Sequence, residues 1–124
     1  MREFVLGGTR VADDTGCYVI AEVGNNHQGS LGKAKQLILA AKECGVDAVK
    51  LQKRDNRTLY TSALYDQPYE NENSFGPTYG THREALEFGR DEWQELLAYA
   101  ADLDLPLFAT AFDEPSADFL AELD

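Results

Sequence analysis

Gly45–Gln52 reads GVDAVKLQ, and two kinds of side chain alternate along it. Side chains on a strand point to opposite faces at every second residue. As a strand over Asp47–Gln52, it would present Ala48, Lys50 and Gln52 on one face and Val49 and Leu51 on the other. The apolar face suits packing against helices, so Lys50 and Gln52 point the opposite way. Upstream, Gly45 sits where a helix stop belongs. Ala34, Leu37, Ile38, Ala41 and Cys44 recur at helical spacing behind Ser30, a good N-cap. Before that helix come the loop Gly24–Gly29 and an apolar run, Tyr18–Val23, that contains Glu22. The two strands lie about 30 residues apart, the length of a minimal βαβ unit.

Working outward, Phe4–Leu6 and Val11 flank the pair Gly7-Gly8, which predicts a β-hairpin over residues 1–15 ahead of the main unit, 16–124. Downstream, Lys53–Phe88 shows no sustained period and is too long for an ordinary connection, which marks it as functional or disordered. Tyr60, Tyr65, Tyr69, Phe75 and Tyr79 argue against disorder. Gly89 and Glu92 cap a helix whose apolar face is Trp93, Leu96, Leu97 and Ala100. Leu105–Ala111 is a third strand, and Asp113 with Pro115 opens a last helix carrying Phe119, Leu120 and Leu123. Strands alternating with helices imply a parallel sheet. Periodicity alone leaves open whether the sheet is doubly wound or begins a (β/α)8 barrel.

The composition bounds the function. Of 124 residues, 22 are acidic and 11 basic, a net charge of -11. Nucleic acid and anionic membranes call for clustered Lys and Arg, so neither is expected as a partner. Cys17 and Cys44 form no CxxC motif, Met1–Arg10 lacks the apolar run of a signal peptide, and no stretch approaches bilayer-spanning length. A reduced, cytoplasmic protein is the expectation. His27 and His82 are too isolated to make a metal site.

Ligands of parallel α/β folds bind at the C-terminal ends of the strands. There the sequence offers Glu22 with Asn25, Asn26 and His27, then Lys50 and Gln52, then Thr110 with Asp113. A Glu and a Lys within apolar strands are costly unless paired or used. One reading is an ion pair, Glu22 with Lys50, that only fixes strand order. The other is a cationic anchor for an anionic substrate beside an acid/base or orienting carboxylate. Arg83 is a second cation for an acidic ligand if the long segment folds over the strand ends.

Four segments together resemble the N-acetylneuraminate (sialic acid) synthase family. Tyr18–Ser30, YVIAEVGNNHQGS, is similar to IAEIGxNHxGS, and GVDAVKLQ to GADAVKFQ. Asn71–Phe88, NENSFGPTYGTHREALEF, is similar to a loop with a YGxHRExLE core, and Leu107–Asp113, LFATAFD, to FxSTPFD. Ala111 stands where that family usually has Pro. The resemblance implies the first three βα units of a (β/α)8 barrel, with the rest of the barrel and a C-terminal antifreeze-like domain lying beyond them. It implies that phosphoenolpyruvate condenses with the aldehyde of an N-acyl sugar such as N-acetylmannosamine. A divalent metal, manganese or magnesium, would take ligands from later strands, and the full-length protein would be a homodimer. By position, Lys50 and Thr110 match residues that hold phosphoenolpyruvate, Gln52 and Asn73 match residues near the sugar, and Glu22 matches an essential carboxylate. Two alternatives stay open: a Schiff-base aldolase with Lys50 as nucleophile, and a fragment that binds or assembles without catalysing.

Overall fold

The computed structural model describes residues 1–123. β1 (Glu3–Leu6) and β2 (Thr9–Ala12) form the expected antiparallel hairpin, with Leu6 opposite Thr9. Gly7 and Gly8 turn it with φ of 54° and 82°, the left-handed pair that a two-residue hairpin requires. A Cβ on Gly7 would come within 2.8 Å of the Pro106 side chain, so the hairpin turn lies against the N-terminal approach to the last strand.

The main unit runs β3 (Ile20–Gly24), α1 (Leu31–Glu43), β4 (Ala48–Lys53), α2 (Asn56–Leu59), α3 (Ser62–Tyr65), α4 (Tyr79–Glu84), α5 (Arg90–Asp102), β5 (Leu107–Ala111) and α6 (Glu114–Ala121). Its sheet is parallel in the order β3-β4-β5. β4 is central, and Val49 and Leu51 are fully buried beneath the helices. Ser30 caps α1 by accepting from the Lys33 amide, and α1 turns Ala34, Ile38 and Ala41 inward. Glu92 reaches back to the Gly89 amide at 3.1 Å to cap α5, which buries Trp93, Leu96 and Ala100 against the same core. Each large apolar side chain fully buried here contributes about 1.5–3 kcal/mol. Beside β5, a groove of about 290 Å³ is lined by Trp93, Leu97, Phe108 and Leu120 among others.

Several strand boundaries differ from the sequence reading, by one or two residues each. β3 starts at Ile20 rather than Tyr18, β4 runs through Lys53, and β5 starts at Leu107 because Leu105 still donates its amide to Ala100 of the preceding helix. The larger correction is in Lys53–Phe88, which holds three short helices. Asp55, Thr61 and Thr78 start them by accepting from the amides of Thr58, Leu64 and Thr81. Helices of one or two turns cannot display a 3.6-residue period, so only their caps could mark them. No helix among the described residues is long and apolar enough to cross a membrane.

Candidate active site

The parallel register sets Glu22 opposite Lys50 and Gln52 opposite Thr110. All four side chains fall on the sheet face away from α1 and α5, as the alternation requires. Lys50 Nζ lies 2.9 Å from Glu22 Oε2, and Gln52 Nε2 donates to Glu22 Oε1 at 3.4 Å. The Lys50 and Glu22 side chains are 32% and 43% exposed, less enclosed than a core strand pair would be. Solvent screens such a pair, so its net contribution to stability is within about 0–1 kcal/mol. It is therefore a weak device for fixing strand order, and an arriving anion can compete for Lys50 at small cost.

Gly24 makes room for this contact. The β3–β4 register slips between Glu22 and Gly24, and Gly24 has φ of 55°. A Cβ there would sit 3.2 Å from Glu22 Oε1 and 3.5 Å from Gln52 Nε2. The bulge and the missing side chain let the carboxylate and amide meet over bare backbone.

Arg54 is a site neighbour that the sequence reading missed. It is 8% exposed, donates from Nη1 to Gln52 Oε1 at 2.7 Å, and lays its guanidinium on the Phe112 ring at 3.7 Å. The signal was available: Arg54 continues the row Lys50, Gln52 by one more step of two. Lys53, on the other face, pairs instead with Glu87 at 3.0 Å. Burial holds the Glu87 carboxyl above the usual range even with Lys53 beside it.

The segment Lys53–Phe88, which leaves the end of β4, lies against the chain that follows β3 and β5. The Phe88 ring stacks on His27 after β3 at 4.2 Å, and a Cβ on Gly29 would clash with the Ala85 carbonyl. The Asp55 amide donates to Asp113 Oδ2 beyond β5 at 2.8 Å. Arg83 is drawn into this layer, donating to the Tyr79 hydroxyl from Nε and Nη2 at 3.1 and 3.0 Å. The Tyr79 ring meets Tyr60 edge-on at 5.2 Å. Burial tends to raise the Tyr79 hydroxyl, but bonds from Arg83 and Tyr60 and the Arg83 and Arg54 charges outweigh it and leave it below the ordinary range. Thr110 is exposed opposite Gln52. Asn73 is exposed in a turn where its amide donates to Asn71 Oδ1, and its side chain makes no hydrogen bond to the strand residues. His27 and His82 each use Nδ1 to accept a backbone amide, from Gly29 and Phe75. Among the described residues no cluster of three or more His, Cys, Asp or Glu can hold a metal ion.

A parallel α/β sheet with a lysine, a carboxylate and an amide converging at the strand ends is the arrangement of an α/β enzyme. Comparison with known proteins makes the class specific: residues 37–124 match the NeuB family, and the chain belongs to it. It is 42% identical over 107 residues to human N-acetylneuraminate-9-phosphate synthase, covering 86% of this chain and 30% of that protein. It is 40% identical over 110 residues to the N,N'-diacetyllegionaminic acid synthase of Legionella pneumophila, with the same two coverages, 86% and 30%. The crystal structure of N-acetylneuraminic acid (sialic acid) synthetase from Leptospira borgpetersenii in complex with citrate superposes with a TM-score of 0.76 at 26% identity. That match covers 98% of this chain and 38% of the other. The chain thus spans about a third of the length of these relatives.

Proposed function

We propose that this chain supplies the opening three βα units of a (β/α)8 barrel, and that the barrel condenses phosphoenolpyruvate with an N-acyl hexosamine aldehyde to a nonulosonic (sialic-type) acid and phosphate. The observation that carries the reading is the 2.9 Å Lys50–Glu22 contact, on the strand face that also bears Gln52 and Thr110. Lys50 and Thr110 hold the phosphate and carboxylate end of phosphoenolpyruvate. Gln52 orients the sugar, and Asn73 approaches it from the loop. The methylene carbon of phosphoenolpyruvate forms the new bond to the aldehyde carbon, whose oxygen takes up a proton. Water then adds to the phosphate-bearing carbon, and Glu22 accepts its proton. Breaking the carbon–oxygen bond to phosphate leaves the 2-keto acid. Groups placed in this way gain chiefly from proximity and from stabilising developing charge.

The described residues do not provide a divalent-metal site. The manganese or magnesium ion of the proposed enzyme takes its ligands from elsewhere in the full-length protein, and no step above runs through it. A homodimer in the cytoplasm completes the proposal. The aldolase alternative is less well supported, because the Lys50 ammonium is engaged by a carboxylate rather than presented as a free amine.

The test is a pair of variants in the full-length protein. Lys50→Ala is expected to weaken phosphoenolpyruvate binding at least tenfold, from the loss of a charge-assisted bond worth about 1.5–3 kcal/mol. Glu22→Gln is expected to keep or tighten that binding while turnover falls. Normal binding by Lys50→Ala, or normal turnover by Glu22→Gln, would overturn these roles.

A further inference from the structure

Arg54 carries a buried charge with no carboxylate beside it. None of the ion pairs among the described residues includes it. Burying a guanidinium is costly unless its donors are used. Among the described residues its side chain makes one hydrogen bond, from Nη1 to Gln52 Oε1 at 2.7 Å, while the Phe112 ring supports the guanidinium at 3.7 Å. The root of the arm is fixed as well. Glu87 Oε2 accepts the Arg54 amide and Lys53 Nζ donates to the Arg54 carbonyl, both at 3.3 Å. Lys53 and Glu87 also pair with each other, their side chains only 12% and 11% exposed. An arginine held at base and tip points one way.

Its target, the Gln52 amide, has two unlike ends. A primary amide accepts through oxygen and donates through nitrogen, whereas a guanidinium only donates and an ionised carboxylate only accepts. Gln52 lies between one of each. With Oε1 committed to Arg54, Nε2 alone can face Glu22 Oε1, which it does at 3.4 Å. The 2.7 Å bond is short and charge-assisted, and the 3.4 Å contact is long for N–H···O, so Arg54 rather than Glu22 sets the orientation. Reversed, the amide would turn its oxygen against a carboxylate. The two oxygens of Glu22 are thereby divided: Oε2 meets Lys50 at 2.9 Å and Oε1 meets Gln52. An anion that draws Lys50 away frees Oε2 while Oε1 keeps its tether. We propose that Arg54 is a positioning residue for the condensation: by fixing the Gln52 amide it holds the Glu22 carboxylate so that Oε2 takes the proton of the attacking water. This rests on the synthase reading above and concerns turnover rather than the binding of either substrate.

The experiment compares steady-state phosphate release from phosphoenolpyruvate by the full-length protein and its variants. The acceptor is N-acetylmannosamine or N-acetylmannosamine 6-phosphate, whichever the wild type turns over. Arg54→Met fills the space over Phe112 but donates nothing. It should lower kcat about tenfold and leave the KM for phosphoenolpyruvate within about twofold. Arg54→Gln, whose amide can donate or accept and so dictates neither, should lose kcat by a similar factor, and it decides the matter if Arg54→Met does not fold. Arg54→Lys retains a cationic donor and should keep most of the rate. A double-mutant cycle separates positioning from structural support: with Gln52→Leu in place, Arg54→Met should cost nothing further, whereas a purely structural arginine costs the same in both backgrounds. Undiminished kcat in Arg54→Met or Arg54→Gln, an equal fall in Arg54→Lys, or additive losses in the cycle overturns the positioning role and leaves the synthase reading standing. A wild type that releases no phosphate with either sugar removes both.

Discussion

His27 is an imidazole that the fold keeps neutral. It is 1% exposed, stacks on Phe88, and accepts the Gly29 amide through Nδ1 at 3.0 Å. Burial lowers its pKa from 6.5 to about 4. The unfolded chain therefore binds a proton in a window where the folded one does not. Stability from this source is complete above pH 6.5 and is lost as pH falls toward 4, by at most about 3 kcal/mol. Denaturant titrations at pH 7.5 and 5 should show the fall, and His27→Phe, which keeps a ring against Phe88, should flatten it. A wild-type stability equal at the two pH values would contradict the assignment. At this scale the placement of the candidate site's strand residues was legible. Period-2 alternation placed Glu22, Lys50, Gln52 and Thr110 on one face because β-geometry leaves no other choice. Arg54 escaped because the strand was taken to stop at Gln52, when β4 continues to Lys53. Asn73 rested on a motif match alone, and a loop residue has no alternation to say which way it faces.

Asp113 ties two elements together. One carboxylate oxygen accepts the Ser116 amide and starts α6, and the other accepts the Asp55 amide and pins the start of the long segment, each at 2.8 Å. Burial pushes this carboxyl up, but the bonds from Ser116 and Asp55 and the Lys53 charge outweigh that and hold it below its usual range. Asp113→Ala removes a cap and an inter-element bond, a loss of about 1–3 kcal/mol. Hydrogen exchange should speed up both at the Asp55 amide and through the first turn of α6. If only α6 responded, the link to the long segment would be wrong. Asp113-x-Pro115 was readable as a helix start because capping is local. Its second partner lies 58 residues away and no local pattern encodes it. The same holds for Gly80, where a Cβ would fall 2.3 Å from the Tyr65 ring, a packing demand invisible before α3 and α4 meet.

In the whole molecule, helices cover one face of the sheet, and β3 and β5 each keep an unpaired outer edge among the described residues. Phe108 and Phe112 are 38% and 40% exposed beside the site and the groove. Unpaired strand edges and open apolar surface favour association, while a net charge of -11 opposes it. Raising salt from 0.1 to 1 M shortens the screening length from about 10 to about 3 Å. The 124-residue chain should therefore move from monomer toward larger species over that range in sedimentation velocity, and Phe108→Lys should hold it back. A chain monomeric at both salt concentrations would show that these edges are inert. The alternation of strands and helices was plain in the sequence. The choice between an open sheet and a barrel was not, since both begin with the same units and the same periods.

Trp93 is the chain's one tryptophan, 2% exposed, with an indole N–H that finds no acceptor among the described residues. An indole in so dry and apolar a setting fluoresces at the blue end of its range, and water shifts the emission to the red. Because Trp93 lies between the core and the groove beside β5, the protein carries its own optical reporter. Its colour reads the integrity of the core, and changes in its intensity register the arrival of any segment or molecule that comes to lie along the open edge.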